Sequence, residues 1–100
     1  MNKPSPSDSG LPSIRKGTSY AVARAALLSA RNRPAIQRNS AAERCSGRED
    51  VCRAYPEAEA CSGTGRAYCR FAWTSSTGAP FAVITVGEAF AALVVDNVVR

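Results

Sequence analysis

The chain has 100 residues, which confines it to one domain burying roughly two-thirds of its unfolded surface. Apolar residues make up 45%, but 18 of them are Ala, so only 27 larger side chains remain to build a core. There is no His and no GxxxxGK[ST] loop, and no apolar run reaches the roughly 20 residues of a membrane-spanning helix, which excludes Ser-His-Asp and Cys-His catalysis, P-loop nucleotide chemistry and a membrane span. The net charge of +5 is local: residues 15–53 carry nine basic groups against three acidic ones, while residues 71–100 sum to −1.

Residues 1–13, MNKPSPSDSGLPS, hold a single Leu and cannot bury enough surface to offset the entropy of ordering, so a disordered tail is predicted ahead of one domain over residues 14–100. A secretory leader would need about 7–15 apolar residues after a basic start. The opening residues show none, so the chain is either cytoplasmic or has lost its leader.

From Thr18 or Ser19, either of which can cap a helix, strong helix formers predict an amphipathic helix over Ser19 to Asn32, stopped by Pro34. Tyr20, Ala23, Leu27 and Ala30 share its inner face. Arg24, Ser29 and Arg31 lie away from it, so Arg24→Asp is expected to be tolerated where Leu27→Asp is not. A short first strand is read over Ala35 to Arg38. Residues 39–66 read as loop, with a helical turn at Ala41 to Arg44 or at Pro56 to Cys61.

Beyond Arg66 the pattern turns to β. Cys69, Phe71 and Trp73 alternate with Tyr68, Arg70 and Ala72; Ser75 to Pro80 is turn chemistry; Phe81 to Val86 is a second strand, and Ala91 to Val95, continuing toward Val99, a third. The fold class is α+β: one helix packed on a three- to four-stranded antiparallel sheet, stapled by disulfides.

Cys45, Cys52, Cys61 and Cys69 fall within 25 residues as C-x6-C-x8-C-x7-C. Four cysteines allow three pairings, and the short loops closed by Cys45–Cys52 and Cys61–Cys69 lean toward neighbour pairing without deciding it. A zinc site would lack any C-x2-C knuckle, and a redox pair any C-x-x-C, so neither metal nor cofactor is expected. Disulfides imply an oxidising compartment, periplasmic or secreted, rather than the cytoplasm.

The run Ile14-Arg-Lys-Gly17-Thr18-Ser19-Tyr20-Ala-Val-Ala23-Arg24-Ala-Ala-Leu27 resembles the helical opening of small bacterial envelope proteins. It is similar to the start of the small lipoprotein of the outer-membrane β-barrel assembly machinery and of the β-lactamase inhibitory protein. Tyr55-Pro56-Glu57, Cys61-Ser-Gly-Thr-Gly65, Cys69-Arg-Phe71-Ala-Trp73 and Val83-Ile-Thr-Val-Gly87 resemble the second half of uncharacterised secreted proteins of the same build. The resemblance implies helices laid on an antiparallel sheet and a role in binding other proteins. No lipobox cysteine precedes the helix, and Arg31-Asn-Arg-Pro34 stands where a Gly-aromatic pair is usual, so no residue's role carries over.

Three functions compete. A non-enzymatic envelope module would hold another protein or envelope component through a sheet face or hairpin tips, with Tyr55, Tyr68, Arg70 and Trp73 as candidate contacts because aromatics and Arg dominate interface energies. An intracellular nucleic-acid or phosphate binder would use Arg15, Lys16, Arg24, Arg31, Arg33 and Arg38, although the aromatics are not interleaved with them, and such binding should be weak and non-specific. An enzyme using Glu57, Glu59, Glu88 or Asp96 as acid and base would need a cleft that so small a sheet hardly offers.

Overall fold

A computed structural model describes residues 12–63 and 65–100, so most of the tail expected over residues 1–13 lies outside the described residues. Helix α1 runs Tyr20–Ser29. Ser19 is its cap, extended in backbone and accepting the Val22 N–H at Oγ, 3.2 Å away. Tyr20, Ala23 and Leu27 are buried as their spacing requires, and Ala30 is half-buried.

The helix stops three residues earlier than Pro34 would dictate. Arg31 takes a left-handed φ of 66°, its N–H donates to Leu28 O and the Asn32 N–H to Leu27 O, which together close a Schellman motif. Sequence reasoning missed this end because Arg stands where Gly is usual. Arg31→Gly should therefore stabilise the fold by about 1 kcal/mol, read as a higher midpoint in urea unfolding with an unchanged slope.

The first strand, β1, is Arg33–Pro34 rather than Ala35 to Arg38. Arg33 lies opposite Thr74 and Pro34 opposite Trp73, an edge position where proline's missing N–H costs no ladder bond. Two short helices follow, α2 over Ala41–Arg44, as expected, and α3 over Glu49–Ala54 in what reads as loop. The signal for α3 is present but short: Glu49 and Asp50 in its first turn and Arg53 in its last complement the helix dipole. The helical turn allowed for Pro56 to Cys61 is instead a strand, β2, over Ala58–Cys61.

Strands β3 (Cys69–Thr74) and β4 (Pro80–Val86) form the centre of the sheet, with Phe71 opposite Val83 and Trp73 opposite Phe81. The third predicted strand begins too early: Phe90–Ala92 is a single 3-10 turn, and β5 occupies Val94–Val99. Gly87 makes that turn possible, since at φ 123° a Cβ would stand 2.5 Å from the Ala92 carbonyl oxygen. The sheet is antiparallel with five strands, ordered β1-β3-β4-β5, and β2 pairs with the same edge of β3 that β1 uses.

At the opposite edge, the chain entering α1 pairs with the start of β5. Gly17 N–H donates to Val95 O, Val95 N–H to Thr18 O and Tyr20 N–H to Leu93 O, which covers part of an open edge. The disulfides are Cys45–Cys52 and Cys61–Cys69, the first tying α2 to α3 and the second joining β2 to β3. Between α1 and the inner sheet face lies the core of Tyr20, Leu27, Phe71, Trp73, Val83 and Val95.

Candidate functional site

Two features stand out, a buried polar network under α1 and an apolar outer face on the sheet. The network centres on Glu57, which has no exposed surface. Its carboxylate accepts from the Tyr20 hydroxyl at 2.6 Å and from Arg24 Nε at 2.7 Å and Nη2 at 3.2 Å. Trp73 Nε1–H donates to the Tyr20 oxygen at 3.0 Å, so the hydroxyl is both donor and acceptor. Tyr20 also stacks on Phe71 at 3.9 Å between ring centroids, and Arg24 lies over the Tyr55 ring at 5.3 Å.

Arg24 thus does not face solvent as its helical position implies; its guanidinium reaches back to neutralise a buried carboxylate. The tolerance expected of Arg24→Asp is withdrawn, because that change would leave Glu57 buried without its cation. Nothing in the sequence near Glu57 announces the pairing, since its partners lie more than thirty residues away.

Burial, reinforced by the charge of Glu57 and the hydrogen bond to it, pushes the Tyr20 phenol far above its ordinary value, and burial also raises Tyr55. The hydrogen bond that Arg24 donates to Glu57 raises Arg24 in turn. A phenol that stays protonated when folded but ionises when unfolded binds its proton more tightly in the native state. Its contribution is therefore complete below the ordinary phenol value of 10.0 and shrinks above it, by about 1.4 kcal/mol per pH unit. Alkaline unfolding should accordingly be steeper in the native protein than in Tyr20→Phe, as chemical denaturation between pH 9 and 11 would read (about one pH unit either side of the phenol).

The other acids lie apart from this network. Glu59 pairs with Arg70 at 3.1 Å on the exposed surface, and Asp96 pairs with Lys16 at 3.4 Å. Of the nine basic groups in residues 15–53, four are engaged by the fold: Lys16 and Arg24 by acids, Arg44 by the carbonyls of Asn39 and Ala58, and Arg48 by four carbonyls. Arg15, Arg31, Arg33 and Arg38 are exposed. The six-residue basic set thus loses Lys16 and Arg24 to internal pairs.

The outer sheet face is set by register. With Cys69, Phe71 and Trp73 in the core, Arg70, Ala72 and Thr74 point the other way, opposite Ile84, Ala82 and Pro80 on β4, and these in turn face Asn97 and Val99 on β5. Val86 and Val94 extend the same face. Ala72, Ile84, Val86, Val94 and Val99 are all half-buried, forming an apolar surface on the side away from α1. A depression of about 330 Å³ at one corner is lined by Arg70, Ala72, Thr74, Pro80 and Val99, among others. The signal for this face is the run Phe81-Ala-Val-Ile-Thr-Val86, apolar at five of six positions where a strand wetted on one side would alternate.

Among the aromatic candidates, Trp73 is only 1% exposed and belongs to the core, correcting its assignment as a contact. Tyr55 is half-buried against Tyr20, Phe71 and Phe90, and edges a second depression of about 260 Å³ beside the start of α1. Tyr68 is 41% exposed, with the Arg66 guanidinium over its ring at 5.8 Å. Arg70 lies on the outer sheet face, opposite Ile84. Comparison finds no matching protein-family model, and no curated protein or solved structure of significant similarity.

Proposed function

We propose that the protein is a small extracytoplasmic binding module, non-enzymatic, that holds another protein on the outer face of its sheet. The observation that carries this reading is the apolar surface of Ala72, Ile84, Val86, Val94 and Val99 on the side of the sheet opposite α1. A sheet face wetted in the free protein ordinarily carries polar side chains throughout; here Arg70 and Asn97 flank Ile84 while the other named positions are apolar, and an apolar surface with a polar rim marks an interaction site. Exposed Arg33, beside Thr74, borders this surface, while Arg70 there is already paired with Glu59, so a partner presenting an apolar strip with an acidic margin toward Arg33 fits it. Two disulfides favour an oxidising compartment.

A photo-crosslinking side chain at Ile84 should capture a protein partner in the native host, the same group at exposed Leu28 should not, and raised salt should weaken capture. Equal labelling at both positions, or none at Ile84, refutes the reading. The compartment is tested separately: protein from its own host should be four hydrogens lighter than after reduction, as two disulfides require.

The alternative, a nucleic-acid binder, rests on exposed Arg15, Arg31, Arg33 and Arg38. With about four phosphates neutralised, filter binding should be weak and independent of sequence and fall roughly a hundredfold between ~50 and ~200 mM salt, because counterion release supplies nearly all the affinity. Tight, sequence-dependent binding at the higher salt would make this the function instead.

A further inference from the structure

We infer that the two disulfides have different roles: Cys45–Cys52 is a fixed staple, and Cys61–Cys69 is an exchangeable bond whose reduction releases the hairpin between β2 and β3. The first observation is access. Cys45 and Cys52 are both buried, whereas Cys61 is half-buried on a four-residue edge strand and is the most accessible of the four cysteines. Its partner Cys69 lies in the core, so attack falls on Cys61 and the Cys69 sulfur is the leaving group.

The second observation is what holds the hairpin. Cys61 and Cys69 are directly opposed, and the next pair outward is closed by Ser62 N–H donating to Tyr68 O at 2.7 Å. Toward Ala58 the pairing is interrupted by a register shift between Ala58 and Ala60. Ala67 is kept at a left-handed φ of 55°, which an L side chain resists, so once the disulfide is cut this end of the hairpin is held against that strain by the Ser62–Tyr68 bond and Arg48.

The third observation is Arg48, only 7% exposed, whose guanidinium donates to the carbonyls of Ser62 and Ala67 on this hairpin and of Gly87 and Glu88 on the neighbouring turn. All four acceptors are neutral, and Arg48 Nε is buried without a hydrogen-bond partner. Arg48 thus fastens a cation one residue from Cys61, but it also lies within the Cys45–Cys52 loop with its backbone N–H on Cys45 O, so access rather than charge separates the two bonds.

The chemistry balances with a dithiol as reductant. Its first thiolate bonds to Cys61 Sγ while the S–S bond breaks and its electron pair leaves on Cys69 sulfur, which takes up a proton. The second thiolate then attacks the reductant's own sulfur in the mixed disulfide and expels Cys61, also protonated. The dithiol is oxidised to a disulfide and the protein gains two thiols.

The test uses the full chain, oxidised, in graded dithiothreitol, with alkylation and mapping of the labelled cysteines by mass spectrometry. Cys61 and Cys69 should label at least about tenfold faster than Cys45 and Cys52. Hydrogen exchange of the singly reduced protein should rise in the β2–β3 hairpin while α1 stays protected. Labelling of Cys45 and Cys52 first, simultaneous labelling of all four with loss of α1 protection, or an unchanged hairpin would each overturn the inference.

Discussion

Glu57→Ala should destabilise the domain by about 3–5 kcal/mol, a large part of the total stability of a chain this size. The loss does not come from the carboxylate's own contacts alone. Removing it leaves the Arg24 guanidinium partly buried without an anion and the Tyr20 hydroxyl buried without an acceptor, while Trp73 still donates to that hydroxyl. The paired change Arg24→Met with Glu57→Met is expected to cost much less than either single change, because burying an ion pair roughly cancels its own attraction. Urea unfolding of the three variants checks this, and a double variant as unstable as the sum of the singles would show that the network is worth more than its desolvation.

Leu27→Asp is the second large effect. Leu27 has no exposed surface and sits where α1 meets the core, so a carboxylate there is stranded without a partner and should cost several kcal/mol, enough to leave the domain largely unfolded. Val22→Asp is the matched control, since Val22 is 62% exposed on the same helix. It should shift stability by about 0.5 kcal/mol or less. Circular dichroism at 25 °C separates the two (taking the usual reference temperature for a stability of roughly 5–15 kcal/mol), and equal helicity in both variants would mean that α1 does not dock through Leu27.

The inner face of α1, the β3–β4 hairpin and the alternation of Cys69, Phe71 and Trp73 are all local facts, and they are legible in the sequence because the period of apolar residues and the turn chemistry act over a few positions. The α+β class follows from them, and so does the neighbour pairing toward which the cysteine spacing leans. Helix α3 and strand β2 were harder to read because they are short: each is held by tertiary partners, a disulfide in the one case and the edge of β3 in the other, rather than by its own propensity.

What only the tertiary structure decided is where charge and exposure end up. Arg24 looks like a solvated position on the helical wheel, yet a long side chain can reach back over its own helix, and Glu57 supplies a buried anion from a segment with no visible pattern. Arg48 likewise turns from a member of a basic run into a buried clamp on four carbonyls. Both pairings join residues far apart in the chain, so no local rule encodes them. The composition of the outer sheet face, by contrast, was written in Phe81 to Val86 as a run apolar at all but Thr85; which of its residues face away from the core depended on a register that a slip of one position would have reversed.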